Sequence, residues 1–299
     1  MLTASKNVFT TAVVLALTMA IAIPQTFACP SCEFPSLTLA ESLAQTDAAI
    51  LVQWASGKKP TEDSAGNTTY EVKQILRNYK GKLKVGDRVT LPRYRASKVG
   101  DLFVLMGSQQ TTLEWGSPLE VTETAFNYIS QAPSPEVPTV KRLEYYAKFL
   151  EYSDPMIAND AYGEFANSPY KDVAVVAEKI PREKVRKWVT SPDTPGTRLG
   201  LYGLMIGVCG NKDDEEMVRK KIVEKTDEFR LGIDGLMSGY LVLAGDQGLD
   251  VIDESKLKDD DVPFSETYAA MQALRFMWRY GEGRIEKQRL RESMRILLE

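Results

Sequence analysis

From residue 48 to residue 108 the apolar positions come in short runs. "AAILVQWAS" (48–56), "TTYEVKQILR" (68–77), "DRVTLPRY" (87–94) and "DLFVLMGS" (101–108) are rich in β-branched and aromatic residues, with "GKKPTEDSAGN", "YKGKLKVG" and "ASKVG" between them. Runs of this length, punctuated by Gly, Pro, Asn and Asp, predict the antiparallel strands of a small barrel or sandwich, with strand texture continuing to about Ile129. In "YEVKQIL", Tyr70, Val72 and Gln74 fall on one face and Glu71, Lys73 and Ile75 on the other. The alternation is imperfect, so both faces are expected to be partly covered.

"SQAPSPEVPTV" (130–140) carries three prolines in a short polar stretch and reads as a linker. Beyond it the apolar spacing changes. "VKRLEYYAKFLEY" places Val140, Leu143, Tyr146, Ala147 and Leu150 at helical spacing, and several later segments open with Pro at a first helical position. The apolar stretches 157–169, 198–210, 231–245 and 266–281 recur about every 34 to 40 residues, with shorter charged helices such as "DDEEMVRKKIVEKT" (213–226) between them. That period predicts a HEAT-like α-solenoid, the plainer alternative being an irregular helical bundle. "LRESMRILLE" reads as a last amphipathic helix that either folds back on its neighbour or stops short of a capping element.

The chain's first 28 residues change the picture of where it works. Lys6 precedes an apolar run from Val8 to Ile23, and Thr26-Phe27-Ala28 has small residues at both positions that signal peptidase reads. The expectation is a secretory leader over 1–28, a mature start at Cys29, and a periplasmic or extracellular protein. Lipoprotein anchoring at Cys29 is the second reading, weakened by Thr26 where a lipobox has Leu. An apolar run of about 16 residues falls short of the roughly 20 that span a bilayer, and no longer one follows, so no membrane span is expected after cleavage. The net charge is −4 with no basic block, which argues against a nucleic-acid partner.

The chain contains no histidine, which excludes His-based triads, a His general base, CxxCH haem attachment and His-containing zinc sites. Cysteine, paired carboxylates or Ser with Lys remain. Cys29 and Cys32 stand three positions apart. In an oxidising envelope a disulfide between them is the default; a thioredoxin-like redox pair and a soft-metal thiolate site are the alternatives. The redox pair lacks a preceding βαβ unit, although a helix is allowed from about Ser36. Cys209, at the end of an apolar helix, reads as a buried free thiol.

The acidic runs Asp213–Glu216 and Asp259–Asp261 precede or open predicted helices, where negative charge meets the free amides and the dipole. The stretch "DESKLKDDDVPFSE" around Asp259–Asp261 lacks the central Gly of a calcium loop. S-x-x-K spacing at Ser56 with Lys59 and at Ser168 with Lys171 lies at a turn and a helix start, without a nucleophile elbow. "NTT" (67–69) matches a glycosylation acceptor pattern. Met205, Met237, Met271 and Met277 read as core filler. Trp188, Tyr202, Tyr240, Trp278 and Tyr280 either reach a binding surface or pack between helices.

Two resemblances follow from these stretches. Cys29 and Cys32, "AQTDAAILVQWAS" (44–56), "TTYEVKQILRNYKGKL" (68–83) and "GDRVTL" (86–91) resemble the netrin-like OB-fold module of tissue inhibitors of metalloproteinases. The likeness covers about a hundred residues. It implies an inhibitor-like or metal-binding reading, in which the amino group and carbonyl of a terminal Cys29 chelate a protease's zinc. The C-x-x-C here departs from that family's C-x-C. Over nearly the whole chain, "ACPSC", "SDPMIANDAYGEFANSPYKDV" (153–173), "LYGLMIGVCG" (201–210) and "TYAAMQALRF" (267–276) are similar to a family of secreted planctomycete proteins. In that family HEAT-like helices follow a β domain, and no particular activity is implied.

The sequence therefore predicts an α+β multidomain chain. A signal peptide (1–28) precedes an OB-like β-barrel (29–129), a Pro-rich linker (130–138) and a HEAT-like helical array (139–299), with residues beyond Glu299 left open. The expected function is non-enzymatic: a cofactor-free binding or scaffold protein that engages a protein partner through the helical surface and the barrel. The inhibitor-like or metal-binding module at Cys29 is the alternative, followed by a CxxC thiol–disulfide protein.

Overall fold

The computed structural model describes residues 37–109, 111–226, 228–281 and 283–298. It is an α+β fold in which a six-stranded antiparallel open sheet is followed by a long series of helices.

The four runs predicted as strands form β1 (Ala48–Lys58), β2 (Asn67–Arg77), β3 (Arg88–Leu91) and β4 (Leu102–Gln109). Two short strands, β5 (Leu113–Trp115) and β6 (Leu119–Val121), complete the sheet, whose order is β3-β2-β1-β4-β5 with β6 also on β4. A helix, α1 (Leu39–Ala44), precedes it. Thr38 caps α1, and the Glu41 carboxylate accepts the Thr38 amide in return.

Strand β1 is buried on both sides. Ile50 and Val52 pair with Leu105 and Phe103 of β4, and with Tyr70, Val72 and Leu91 they fill one face. Leu51, opposite Val104, faces the other way and joins the core of the helices. The imperfect alternation of β2 has a local cause. Ile50 pairs with Ile75 and Leu51 with Gln74, but Val52 pairs with Val72, so Lys73 is an extra residue. This bulge reverses the side-chain phase and puts Ile75 on the face of Tyr70 and Val72 instead of opposite them.

After β6 the chain turns helical earlier than its strand-like texture predicts. Thr122 caps α2 (Glu123–Gln131), which buries Ala125, Phe126, Tyr128 and Ile129. Then follow α3 (Thr139–Tyr146), α4 (Pro155–Ala166), α5 (Tyr170–Ala177), α6 (Arg182–Thr190), α7 (Gly196–Cys209), α8 (Lys212–Val223), α9 (Ile233–Ala244), α10 (Asp246–Ile252), α11 (Phe264–Tyr280) and α12 (Lys287–Ile296). A single π turn, Asp253–Leu257, extends α10. Helix α3 is shorter than its apolar spacing predicts, yet Leu150 beyond it is still fully buried.

Helix α9 packs on both α7 and α11. Its crossing with α7 is lined by glycine: a Cβ on Gly239 would stand 1.8 Å from the Gly203 carbonyl oxygen, and one on Gly207 2.6 Å from the Gly239 Cα. The two backbones touch with no side chain between them. Helix α12 lies against α11, burying Leu290 and Ser293.

Candidate functional site: the aromatic and cationic face of α11 and α12

Helix α11 is unusual in what it shows to water. Its exposed residues are Phe264, Tyr268, Arg275, Trp278 and Arg279. At about 100° per residue they fall within an arc of roughly 120°, so they form one stripe along the helix. The opposite side buries Ala269, Ala270, Ala273, Leu274 and Met277, which orients the helix. Phe264 is 81% exposed and Trp278 43%, although burial of such rings is worth a few kcal/mol each.

The charge on this face is one-sided. Glu266 is the only carboxylate between 264 and 280. It is buried on the far side, bonded by Arg230 at 2.5 Å and Lys256 at 2.8 Å. Burial alone would raise its carboxyl, but these two cations bring it below the ordinary value. Together α11 and α12 hold six basic residues and two acidic ones, in a chain whose net charge is −4.

Helix α12 brings its cations to the tryptophan. Lys287 Nζ lies 6.0 Å and the Arg291 guanidinium carbon 5.4 Å from the Trp278 ring centre, both within cation–π range. Between the helices is a groove of about 250 Å³ lined by Gln272, Arg275, Phe276, Trp278, Arg279, Tyr280 and Met294. Its floor is aromatic: Phe276 and Tyr280 pack on Tyr170 of α5 at 4.7 and 5.3 Å between ring centres.

Of the five aromatics singled out in the sequence, the structure separates Trp278 from the rest. Trp188, Tyr202 and Tyr240 are buried, with Trp188 stacked on Tyr202 at 4.8 Å, and Tyr280 is half-buried in the groove floor. Phe264, Tyr268 and the α12 cations are not among the sequence candidates. The available signal was a helical stretch with aromatics at i and i+4 and no acid on their side.

The remaining sequence candidates do not converge. Cys29 and Cys32 lie outside the described residues. Cys209 is a partly buried free thiol, pushed up to about 11 by burial, so it is mostly protonated at neutral pH. Ser168 is buried and donates to the Glu164 carbonyl, while Lys171 points to solvent. Asp214 completes a capping box with Asn211 and pairs with Arg182 and Arg186, a structural use of an acidic run. Asp259 accepts the Asp261 amide and pairs with Lys225. Among the described residues no three acidic or thiol side chains are grouped to hold a metal ion, and no helix is long and apolar enough to cross a membrane.

Comparison with protein families, with curated proteins and with solved structures finds no match to this chain.

Proposed function

We propose that the chain is a secreted, non-enzymatic binding protein that engages a protein partner through the exposed face of α11 and α12. The observation that carries this reading is the stripe of Phe264, Tyr268, Trp278 and two arginines on one solvent-facing arc. Trp, Tyr and Arg are the residues in which binding energy concentrates at protein interfaces. At the Trp278 end the groove floor is packed on Tyr170, which leaves fewer side chains to order on association.

The finer architecture belongs to the same proposal: an OB-like, netrin-type sheet followed by a HEAT-like array that presents α11 at its end. Support comes from α7, α9 and α11, which lie against one another in turn with α8 and α10 between them in the chain. The leader-like first 28 residues, which lie outside the described residues, support a partner in the cell envelope or outside it.

A photocrosslinking amino acid placed at Tyr268, in cells that make the protein, tests the reading. The expected result is a discrete adduct with a second protein, absent when the crosslinker stands at Glu183 of α6. Equal or no adduct at Tyr268 overturns it.

A further inference from the structure

We infer that the groove between α11 and α12 receives an acidic segment of the partner protein, with an apolar side chain against Trp278 and carboxylates on Arg275, Lys287 and Arg291. This rests on the binding reading above and names the chemistry of what is bound.

Charge complementarity selects an acidic occupant. Among the described residues no carboxylate makes an ion pair with Arg275, Lys287 or Arg291; the recorded polar contact of Arg275 is with the Gln272 side-chain oxygen at 3.1 Å. Other arginines of the helical half do have carboxylate partners: Arg182 and Arg186 share Asp214, Arg198 has Glu151, and Arg289 on α12 itself has Asp250 and Asp253. A guanidinium presents a planar fork of donors that fits a carboxylate through two parallel hydrogen bonds. The unmatched cations therefore keep their donor capacity for an acid from outside.

Size and polarity select a peptide. The groove, at about 250 Å³, is smaller than the roughly 300–1,000 Å³ of sites that enclose a whole small molecule, and suits the side chain of an anchor residue. Beyond it the stripe continues outward to Tyr268 and Phe264, 49% and 81% exposed, which calls for apolar contact over a length of helix. From Phe264 to Trp278 the stripe runs about 21 Å, the length of about six extended residues or four helical turns. A nucleic acid would meet the same cations and could stack bases on the same rings, but it would also meet the net negative charge of the whole chain, and the oligonucleotide arm of the test separates the two.

The test is selection of random 12-residue peptides on the full chain, followed by fluorescence anisotropy with the enriched peptides and with a 12-nucleotide single-stranded DNA. Enriched sequences should carry an excess of Asp and Glu together with an aromatic or Leu anchor. Changing their acids to Gln should weaken binding about tenfold or more, and so should Arg291→Glu or Lys287→Glu in the protein. Lys212→Glu, far along the chain on α8, should leave affinity unchanged. The two groove variants must keep the wild-type melting temperature; Trp278→Leu, which retains an apolar filling, gives a third reading if one of them does not.

Enriched peptides without acidic bias, peptides indifferent to both groove substitutions, or an oligonucleotide that binds more tightly through the same residues would each overturn the inference. A Tyr268 crosslink to a partner whose contact segment is neutral or basic would sink it while leaving the binding function standing.

Discussion

Tyr128 donates its phenolic hydrogen to the Asp160 carboxylate at 2.6 Å, and the same carboxylate accepts the Leu39 amide at 2.7 Å. One acid thus ties α2 and the start of α1 to α4. Its surroundings raise its carboxyl to about 6, mainly through burial, with the negative charges of Glu164 and Glu41 adding to the effect and the two hydrogen bonds opposing it. A folded-state value above the ordinary carboxylate range near 3.9 means that protonation stabilises the fold. That stabilisation is fully present below about pH 4 and is lost as the pH rises through about 6.

Wild type should accordingly lose about 3 kcal/mol between pH 4 and pH 7 relative to Asp160→Asn, whose amide does not titrate. Urea unfolding at four pH values measures it. The comparison with the variant removes other acids such as Glu144 and Glu216, whose shifts run the other way. Parallel pH profiles for the two proteins would show that Asp160 does not carry this dependence.

The α7–α9 crossing yields a second expectation. Gly239→Ala places a methyl 1.8 Å from a backbone oxygen, so the helices must separate, at a cost of about 3 kcal/mol or more. Gly163→Ala in α4 meets only the Thr38 methyl at 3.4 Å, an ordinary contact, and should be neutral or stabilising by up to about 1 kcal/mol through helix propensity. Thermal denaturation of the pair decides it; equal melting temperatures would refute the close crossing.

Asp214 gives the third. It is fully buried between Arg182 at 2.9 Å and Arg186 at 2.8 Å, and accepts the Asn211 amide at 3.0 Å. Asp214→Ala removes a cap and the shared counter-charge of two arginines, and should cost about 3 kcal/mol or more. Asp213→Ala, its exposed neighbour, should cost less than about 1 kcal/mol. A small effect at both positions, by chemical denaturation, would mean that the pair contributes little.

Much of the fold was legible because the apolar runs are strong. β1 to β4 lie where β-branched and aromatic residues cluster, and the apolar stretches 157–169, 198–210, 231–245 and 266–281 overlap α4, α7, α9 and α11. Local turn and cap chemistry was harder to see. The Lys73 bulge leaves no composition signal, since a bulged strand differs from a regular one only in how its partner pairs with it. Helix α2 was obscured because "TETAFNYIS" mixes a capping threonine with aromatic and β-branched residues that read equally well as strand.

The site was half legible for a related reason. Periodicity places Trp278 and Tyr280 on a helix but does not say which side is covered. Tyr280 is covered by Tyr170, more than a hundred positions earlier, and Trp278 is not. The cations that flank Trp278 come from the next helix, so the groove exists only once α12 has folded back against α11.

The glycine-lined contact of α7 and α9 also bears on how the helical half can move. Side chains at a helix interface act as bearings that yield by changing rotamer, and where Gly203 and Gly207 meet Gly239 this contact has none to yield. A displacement of α11 that carries α9 with it would therefore reach α7 at that crossing as tilt of whole helices instead of local repacking.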